Sequence, residues 1–162
     1  MRVGQGFDVH PFSADPARPL VLGGVVIEDA PGLAGHSDAD ALAHALADAV
    51  LGAAGLGDLG RHFPDDDPAW QGADSLVLLA EVVAKAAAAG LVPVNADCTV
   101  VAESPRLAPY TAEMADRLGR VLGAPVSVKA TGPEGLGALG RSEGLACLAV
   151  VLLDGATAGR PA

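Results

Sequence analysis

Near its C-terminal end the chain runs Leu-Ala-Cys-Leu-Ala-Val-Val-Leu-Leu, residues 145–153, without one charged or hydrogen-bonding side chain beyond a thiol. Nine apolar residues are too few to cross a bilayer as a helix, which takes about 20. A run of this length reads instead as a buried strand. Such a strand must be paired on its edges and covered on its faces, so the remainder of the chain is read for partners and for a covering layer.

Strand partners are plentiful. Residues 1–10 read as a first strand, and Pro19–Glu28 as two short strands around Gly23-Gly24, a hairpin signal. Residues 94–103 alternate like a strand, and 125–131 alternate cleanly, with Val126, Val128 and Ala130 on one face and Ser127, Lys129 and Thr131 on the other. The covering layer is helical. Residues 37–55 carry an apolar stripe of Leu42, Ala45, Leu46, Ala49 and Val50, with Ser37 as the expected cap and Asp40 three residues on. A second helix is predicted from about Asp74 to Gly90 and a third from about Tyr110 to Leu122, stopped by Gly123. Between them lie a long loop over 55–72 with four acidic residues, a proline-bent turn over 104–109 and a glycine-rich loop over 132–144. There is no repeat and no linker. The pattern predicts a single α+β domain over 1–153, one sheet with helices on one face, and a disordered tail over 154–162.

Composition narrows the function. A formal charge of −10 would repel a nucleic-acid duplex, so DNA and RNA are discounted as partners. An anionic small substrate would need cations in the site, which metal ions supply. The chain has 51% hydrophobic residues and a mean hydropathy of +0.38, rich for a small monomer, so a homo-oligomer is expected. An alanine-rich composition set by genome bias would give the same figure. Cys98 and Cys147 sit singly in apolar runs and read as buried reduced thiols, which suits a cytoplasmic location. No charged-then-apolar leader opens the chain, so neither export nor a membrane is expected.

The candidate chemistry starts at the N-terminal strand. Asp8 and His10, two apart, project from one face. On the first helix Asp40, His44 and Asp48 share one face at spacing four. Ordinary helix ion pairing explains the latter set as well as function does. If that helix packs on the sheet, His44 can meet Asp8 and His10, giving a three-ligand zinc set with an open fourth position. Asp40 and Asp48 would then orient the imidazoles. His36 and Ser37 precede the helix N-terminus, where anions bind, although Ser37 as a plain cap is the simpler reading. Lys129 and Thr131 lead into Gly-Pro-Glu-Gly-Leu-Gly, where backbone N–H groups could face phosphates and Glu134 could hold magnesium. By itself that loop reads as a turn, since no Gly-Lys-Ser/Thr ends it. No Ser-His-Asp set and no dinucleotide fingerprint is present.

Taken together, GFDVH, LGGV, the stretch from Gly32 through Pro68, GADS and GRSEGLAC resemble the 2-C-methyl-D-erythritol 2,4-cyclodiphosphate synthase family over nearly the whole chain. The resemblance implies conversion of 4-diphosphocytidyl-2-C-methyl-D-erythritol 2-phosphate to the cyclic diphosphate plus CMP, in the non-mevalonate route to isoprenoids. It implies a four-stranded mixed sheet with helices on one side, and a homotrimer with active sites between subunits. It places zinc, or another divalent transition metal, on Asp8, His10 and His44, and magnesium or manganese on Glu134. Asp8, Val9, His10, His36 and Ser37 match substrate contacts, and His36 a transition-state stabiliser. Asp58, Leu59 and Gly60, with Phe63, Pro64, Asp65, Asp66 and Asp67, match residues that hold the ribose and erythritol parts. Ala102, Glu103, Ser104, Pro105, Arg106, Leu107 and Ala108 match the cytidine pocket, and Thr131, Gly132, Pro133 and Glu134 the diphosphate loop. Arg141 and Glu143 match polar positions near the trimer axis, where some members hold an isoprenoid diphosphate.

Three positions depart from the family pattern. Gly132 stands where a threonine with a transition-state role is common, so the backbone N–H stays and the hydroxyl is lost. Gln5 replaces a frequent histidine, and Ala138 replaces a frequent phenylalanine in a wall of the site or of the axial cavity. With aromatic residues at 3%, cytosine recognition would use backbone groups of 101–109 rather than stacking. Two other readings share parts of this pattern: a zinc phosphohydrolase acting on a nucleoside diphosphate compound, and a non-catalytic trimeric isoprenoid-diphosphate-binding protein, which only Gly132 favours.

Overall fold

A computed structural model describes residues 1–155. Strand β1 (Arg2–Pro11) is followed by the short hairpin β2 (Leu20–Leu22) and β3 (Val25–Ile27), then helices α1 (Ala41–Ala54), α2 (Leu59–His62) and α3 (Ser75–Ala88). Strand β4 (Leu91–Val101), helix α4 (Thr111–Leu122), strand β5 (Val126–Thr131), helix α5 (Gly137–Gly140) and strand β6 (Gly144–Gly155) complete the chain. The main sheet has the order β1-β6-β4-β5, antiparallel except for the parallel β4–β5 pair, and is therefore mixed. The apolar run over 145–153 lies inside this sheet, between β1 and β4.

One face of the sheet is covered. On β6 the side chains of Leu145, Cys147, Ala149, Val151 and Leu153 are buried beneath the helices, while Leu148 and Val150 face outward and are exposed. The close fit of α1 to β1 depends on two glycines. A Cβ on Gly4 would lie 1.9 Å from the Ala49 carbonyl oxygen, and one on Gly6 1.9 Å from that of Ala45. The helix backbone thus rests directly on the strand backbone. Helix α1 is buried on nearly all sides, and its only positions that are not buried are His44, Asp48 and Gly52, a line one turn apart.

Several expectations shift. Asp40, not Ser37, caps α1: Ala39 turns through a left-handed conformation, and the Asp40 carboxylate accepts from the N–H groups of Leu42 and Ala43. The loop over 55–72 contains α2 and a short 3-10 turn, each started by an aspartate, Asp58 and Asp67, that accepts from a following N–H. The loop over 132–144 likewise contains α5. Strand β4 begins earlier than expected and passes Pro93 by an irregularity in the ladder, where a residue without N–H is tolerated. Asp154 and Gly155, read as the start of a tail, close β6; the rest of that tail, 156–162, lies outside the described residues.

Candidate metal centre and active-site clefts

Because Gly4 and Gly6 bring α1 onto β1, the next two residues on the same strand face, Asp8 and His10, meet the first turn of the helix. Ligand atoms of Asp8, His10 and His44 all lie within 4.8 Å of one another. Asp8 Oδ2 is 3.0 Å from His10 Nε2 and 3.1 Å from His44 Nδ1, and the rings are 5.9 Å apart. Asp8 Oδ1 accepts from the Val9 N–H, which steadies the carboxylate.

The His10 ring has a fixed tautomer. Its Nδ1 lies 2.7 Å from the Ala34 carbonyl oxygen, which can only accept, so Nδ1 carries the proton. In the neutral ring Nε2 then turns a lone pair toward a carboxylate oxygen that also offers lone pairs. That arrangement requires a cation between them, a proton or a metal ion. Two imidazole nitrogens and a carboxylate oxygen, partly buried beside a cleft, form a donor set suited to a divalent transition metal. Burial works to raise the Asp8 carboxyl, but the hydrogen bonds with His10 and His44 outweigh it and hold the group well below the usual carboxylate range. The bond to Asp8 raises His10, against the opposing effect of burial.

The expected role of Asp40 and Asp48 is corrected. Neither hydrogen-bonds an imidazole. Asp40 is fully buried and accepts from the N–H groups of Gly23, Gly24, Leu42 and Ala43, tying the hairpin to the start of α1. Burial pushes its carboxyl up to about 6 against those donors. Asp48 accepts from the Leu59 N–H at 2.7 Å and so holds the next loop. The outer nitrogen of His44, Nε2, instead lies 2.8 Å from Ser75 Oγ and 3.3 Å from Ser37 Oγ. Sequence reasoning missed Ser75 and its neighbour Asp38. Ser75 opens α3, 31 residues beyond His44, and looks like one more helix-start residue.

A cleft of about 460 Å³ opens over this cluster, lined by Asp8, His10, Gly35, His36, Ser37, His44, Leu59, Gly60, Phe63, Asp65, Trp70 and Leu78. Eight of the expected substrate contacts therefore line one space. His36 reaches across it to the Asp67 carbonyl oxygen at 3.1 Å, and Phe63 packs edge-on against Trp70. Trp70 and Leu78 were not foreseen; the tryptophan sat in a stretch read as loop. Other expected residues stand outside the lining. The Val9 side chain points to the opposite sheet face, as alternation demands, and Asp58 and Asp67 spend their carboxylates on local caps. Pro64 and Asp66 are exposed beside the cleft.

A second cleft, of about 270 Å³, is lined by Ala102, Glu103, Pro105, Arg106, Leu107, Ala108, Ala130, Thr131 and Gly132. Ser104, Pro133 and Glu134 lie outside its lining. Glu134 adopts a left-handed φ of 54°, and the next residue's N–H is held by the Glu103 carboxylate at 3.2 Å. The two clefts are not adjacent within one chain. Asp8 pairs with Cys147, Cys147 with Val100 and Val100 with Ala130, so three strand spacings, roughly 14 Å, separate Asp8 from Ala130. The two expected catalytic positions, His36 and Gly132, thus belong to different clefts, and Glu134 stands apart from the Asp8 cluster. Ala138 lies in α5 and Arg141 caps it, ion-paired with Glu143 at 2.6 Å and away from both clefts. Both cysteines are free and buried; burial pushes Cys98 up to about 12 and Cys147 higher than an ordinary thiol, which suits inert thiols.

The chain is 56% identical over 155 residues to a 2-C-methyl-D-erythritol 2,4-cyclodiphosphate synthase of Bordetella petrii, covering 94% of each chain. It is 56% identical over 158 residues to the protein of that name from Symbiobacterium thermophilum, covering 96% of this chain and 99% of the relative. Among solved structures, the bifunctional IspDF of Campylobacter jejuni superposes with a TM-score of 0.90 at 43% identity, over 95% of this chain and 42% of that larger one. A CDP complex of IspF from Plasmodium falciparum superposes with a TM-score of 0.81 at 30% identity, over 95% of this chain and 96% of that one. The YgbB family model matches residues 1–154, a span that takes in all but the last residue of the sheet, both clefts and the three converging side chains, and the chain belongs to the YgbB family.

Proposed function

We infer that this chain converts 4-diphosphocytidyl-2-C-methyl-D-erythritol 2-phosphate to 2-C-methyl-D-erythritol 2,4-cyclodiphosphate and CMP, a step of non-mevalonate isoprenoid biosynthesis. The observation that carries the reading is the convergence of Asp8, His10 and His44 beside a cleft, in a chain 56% identical to synthases of that name.

The substrate supplies its own nucleophile. An oxygen of its 2-phosphate forms a bond to the β-phosphorus, the bond from that phosphorus to the bridging oxygen breaks, and CMP leaves with the electron pair. No strong protein base is needed, so the chain's task is positioning and charge neutralisation. Asp8, His10 and His44 would hold zinc or another divalent transition metal. Glu134 would hold magnesium or manganese, which commonly takes one or two carboxylates and completes its shell with phosphate oxygens and water. Bound there, the ions supply Lewis-acid neutralisation of phosphate charge in a protein of net charge −10. His36 and Ser37 donate to phosphate oxygens from the first cleft, and the Gly132 N–H does so from the second. Leu59, Gly60, Phe63 and Asp65 cradle the sugar portion, and residues 102–108 take the cytidine; CDP is the ligand in the complex of the Plasmodium falciparum relative.

The resemblance to the family implies a homotrimer with sites between subunits, and one substrate engages both clefts if the second comes from a neighbouring copy. Two observations support this: the roughly 14 Å between the half-sites, and an apolar outer sheet face on which Phe7 is 53% and Val3 69% exposed. Arg141 and Glu143 would then stand near the axis, open to an isoprenoid diphosphate. Among the described residues no helix is long and apolar enough to cross a membrane, and a cytoplasmic location is proposed with the function. Phosphorus NMR of the purified protein with the cytidine-linked substrate, zinc and magnesium tests the reading. CMP with a cyclic diphosphate is expected; CMP with an open-chain product would mean hydrolysis, and zinc binding without turnover would mean a binding protein.

A further inference from the structure

We propose that Ser75 and Asp38 are positioning residues for His44, joined in a relay from the Asp38 carboxylate through the Ser75 hydroxyl to the His44 Nε2–H. The proposal rests on the reading of Asp8, His10 and His44 as a metal centre.

Counting protons settles the direction of each bond. Ser75 Oγ makes a very short contact with Asp38 Oδ1 and lies 2.8 Å from His44 Nε2. A serine hydroxyl has one proton, and a carboxylate can only accept. The Ser75 proton therefore goes to Asp38, and the Ser75 oxygen is left to accept from His44. Nε2 must then carry a proton, so that in the neutral ring Nδ1 holds the lone pair offered to a cation placed beside Asp8. Asp38 is itself anchored: it accepts from the Ser75 N–H at 3.0 Å and the Asp40 N–H at 3.1 Å, and its own N–H donates to the Ala73 carbonyl. The relay thus spans the chain from the loop before α1 to the start of α3, and Ser75 is 1% exposed.

Two consequences distinguish this arrangement from ordinary packing. The imidazoles become unequal donors: His10 leans on a neutral carbonyl, whereas His44 leans on a hydroxyl polarised by a carboxylate, which raises ligand basicity. Ser37, the rival acceptor at 3.3 Å, is released from His44. Its oxygen already accepts from the Ala39 N–H at 3.1 Å, so its proton is free to donate into the cleft it lines. The two serines therefore divide the labour, one for the metal ligand and one for the substrate anion.

The test measures zinc affinity of the full chain by competition with a chromophoric chelator, together with the side-chain ¹⁵N shifts of His44 in the zinc-loaded protein. Ser75→Ala should weaken zinc by about 10- to 100-fold, the usual cost of losing such an outer partner. Ser75→Thr, which keeps the hydroxyl, should restore most of the affinity. Ser37→Ala should leave zinc affinity nearly unchanged, and the ¹⁵N shifts should report a protonated Nε2. Unaltered affinity in Ser75→Ala, a larger loss in Ser37→Ala than in Ser75→Ala, or a protonated Nδ1 would each overturn the relay. Failure of the metal-centre reading looks different: the parent protein would bind no zinc, or would bind it equally after His44→Ala, and the relay would fall with it.

Discussion

At Gly6 an added Cβ would lie 1.9 Å from a helix carbonyl oxygen; at Gly132 the nearest atoms would be 3.9 Å away. Gly6 lies on the strand that carries Asp8 and His10, Gly132 lines the second cleft, and the contrast runs through everything around them. The cleft over β1 is built on a strand and a helix pressed backbone to backbone. Its candidate ligands His10 and His44 are held by the Ala34 carbonyl and the Ser75 hydroxyl. The cleft beside β5 is built on loop ends, with Glu103 bracing Gly135 and Glu134 exposed in a left-handed turn. A metal site that needs three atoms in fixed places is put on rigid elements. The surface proposed to receive the nucleotide and a neighbouring subunit is left open. The lesson is that one substrate can be served by a preformed half and an adaptable half.

The largest expected effect tests the rigid half. Gly6→Ala forces a methyl into the Ala45 carbonyl, so the helix must move; unfolding free energy from urea titration should fall by about 3 kcal/mol or more, with zinc lost in parallel. Retained stability would show that the α1–β1 contact tolerates separation. Next, His44→Ala should leave the fold intact, bring bound zinc by elemental analysis close to nil and cut CMP release by about 100-fold or more. Unchanged zinc content would remove His44 from the ligand set.

The third prediction concerns pH in the metal-free protein. Asp8 is depressed, so its contribution is complete above the ordinary value of 3.8 and is lost as pH falls through its folded value. His10 is raised, so its contribution is complete below 6.5 and is lost as pH rises through its folded value. The pair therefore stabilises the metal-free form most between 3.8 and 6.5. The denaturation midpoint of chelator-treated protein should peak there, and Asp8→Asn should flatten the peak. Zinc competes with the same protons, so its affinity should fall on acidification through the raised His10 value. The smallest effect sharpens the comparison from the other side. Gly132→Thr meets only ordinary contact with Glu134 at 3.9 Å, so stability should change by less than about 0.5 kcal/mol, while turnover rises if the added hydroxyl reaches the phosphates.

Much of this molecule is legible in its local sequence. Strand and helix periods mark every long element, because burial on one face imposes a repeat of two or of 3.6 residues. Asp8 and His10 share a face by that rule alone, and so do His44 and Asp48. What periodicity does not carry is who meets whom. That Asp40 caps α1 and ties down Gly23 and Gly24, rather than serving an imidazole, depends on a left-handed Ala39 and a hairpin 16 residues earlier. That His44 reaches Asp8 depends on two glycines admitting a helix, across 36 residues of chain. That Ser75 completes His44, and that the two clefts stand three strands apart, depends on packing and sheet register. The sequence alone thus determined the long elements and the candidate ligands, since those follow from residue chemistry and short-range geometry. Only the tertiary structure decided which lone pairs converge, because that is set by contacts between segments that local preferences do not connect.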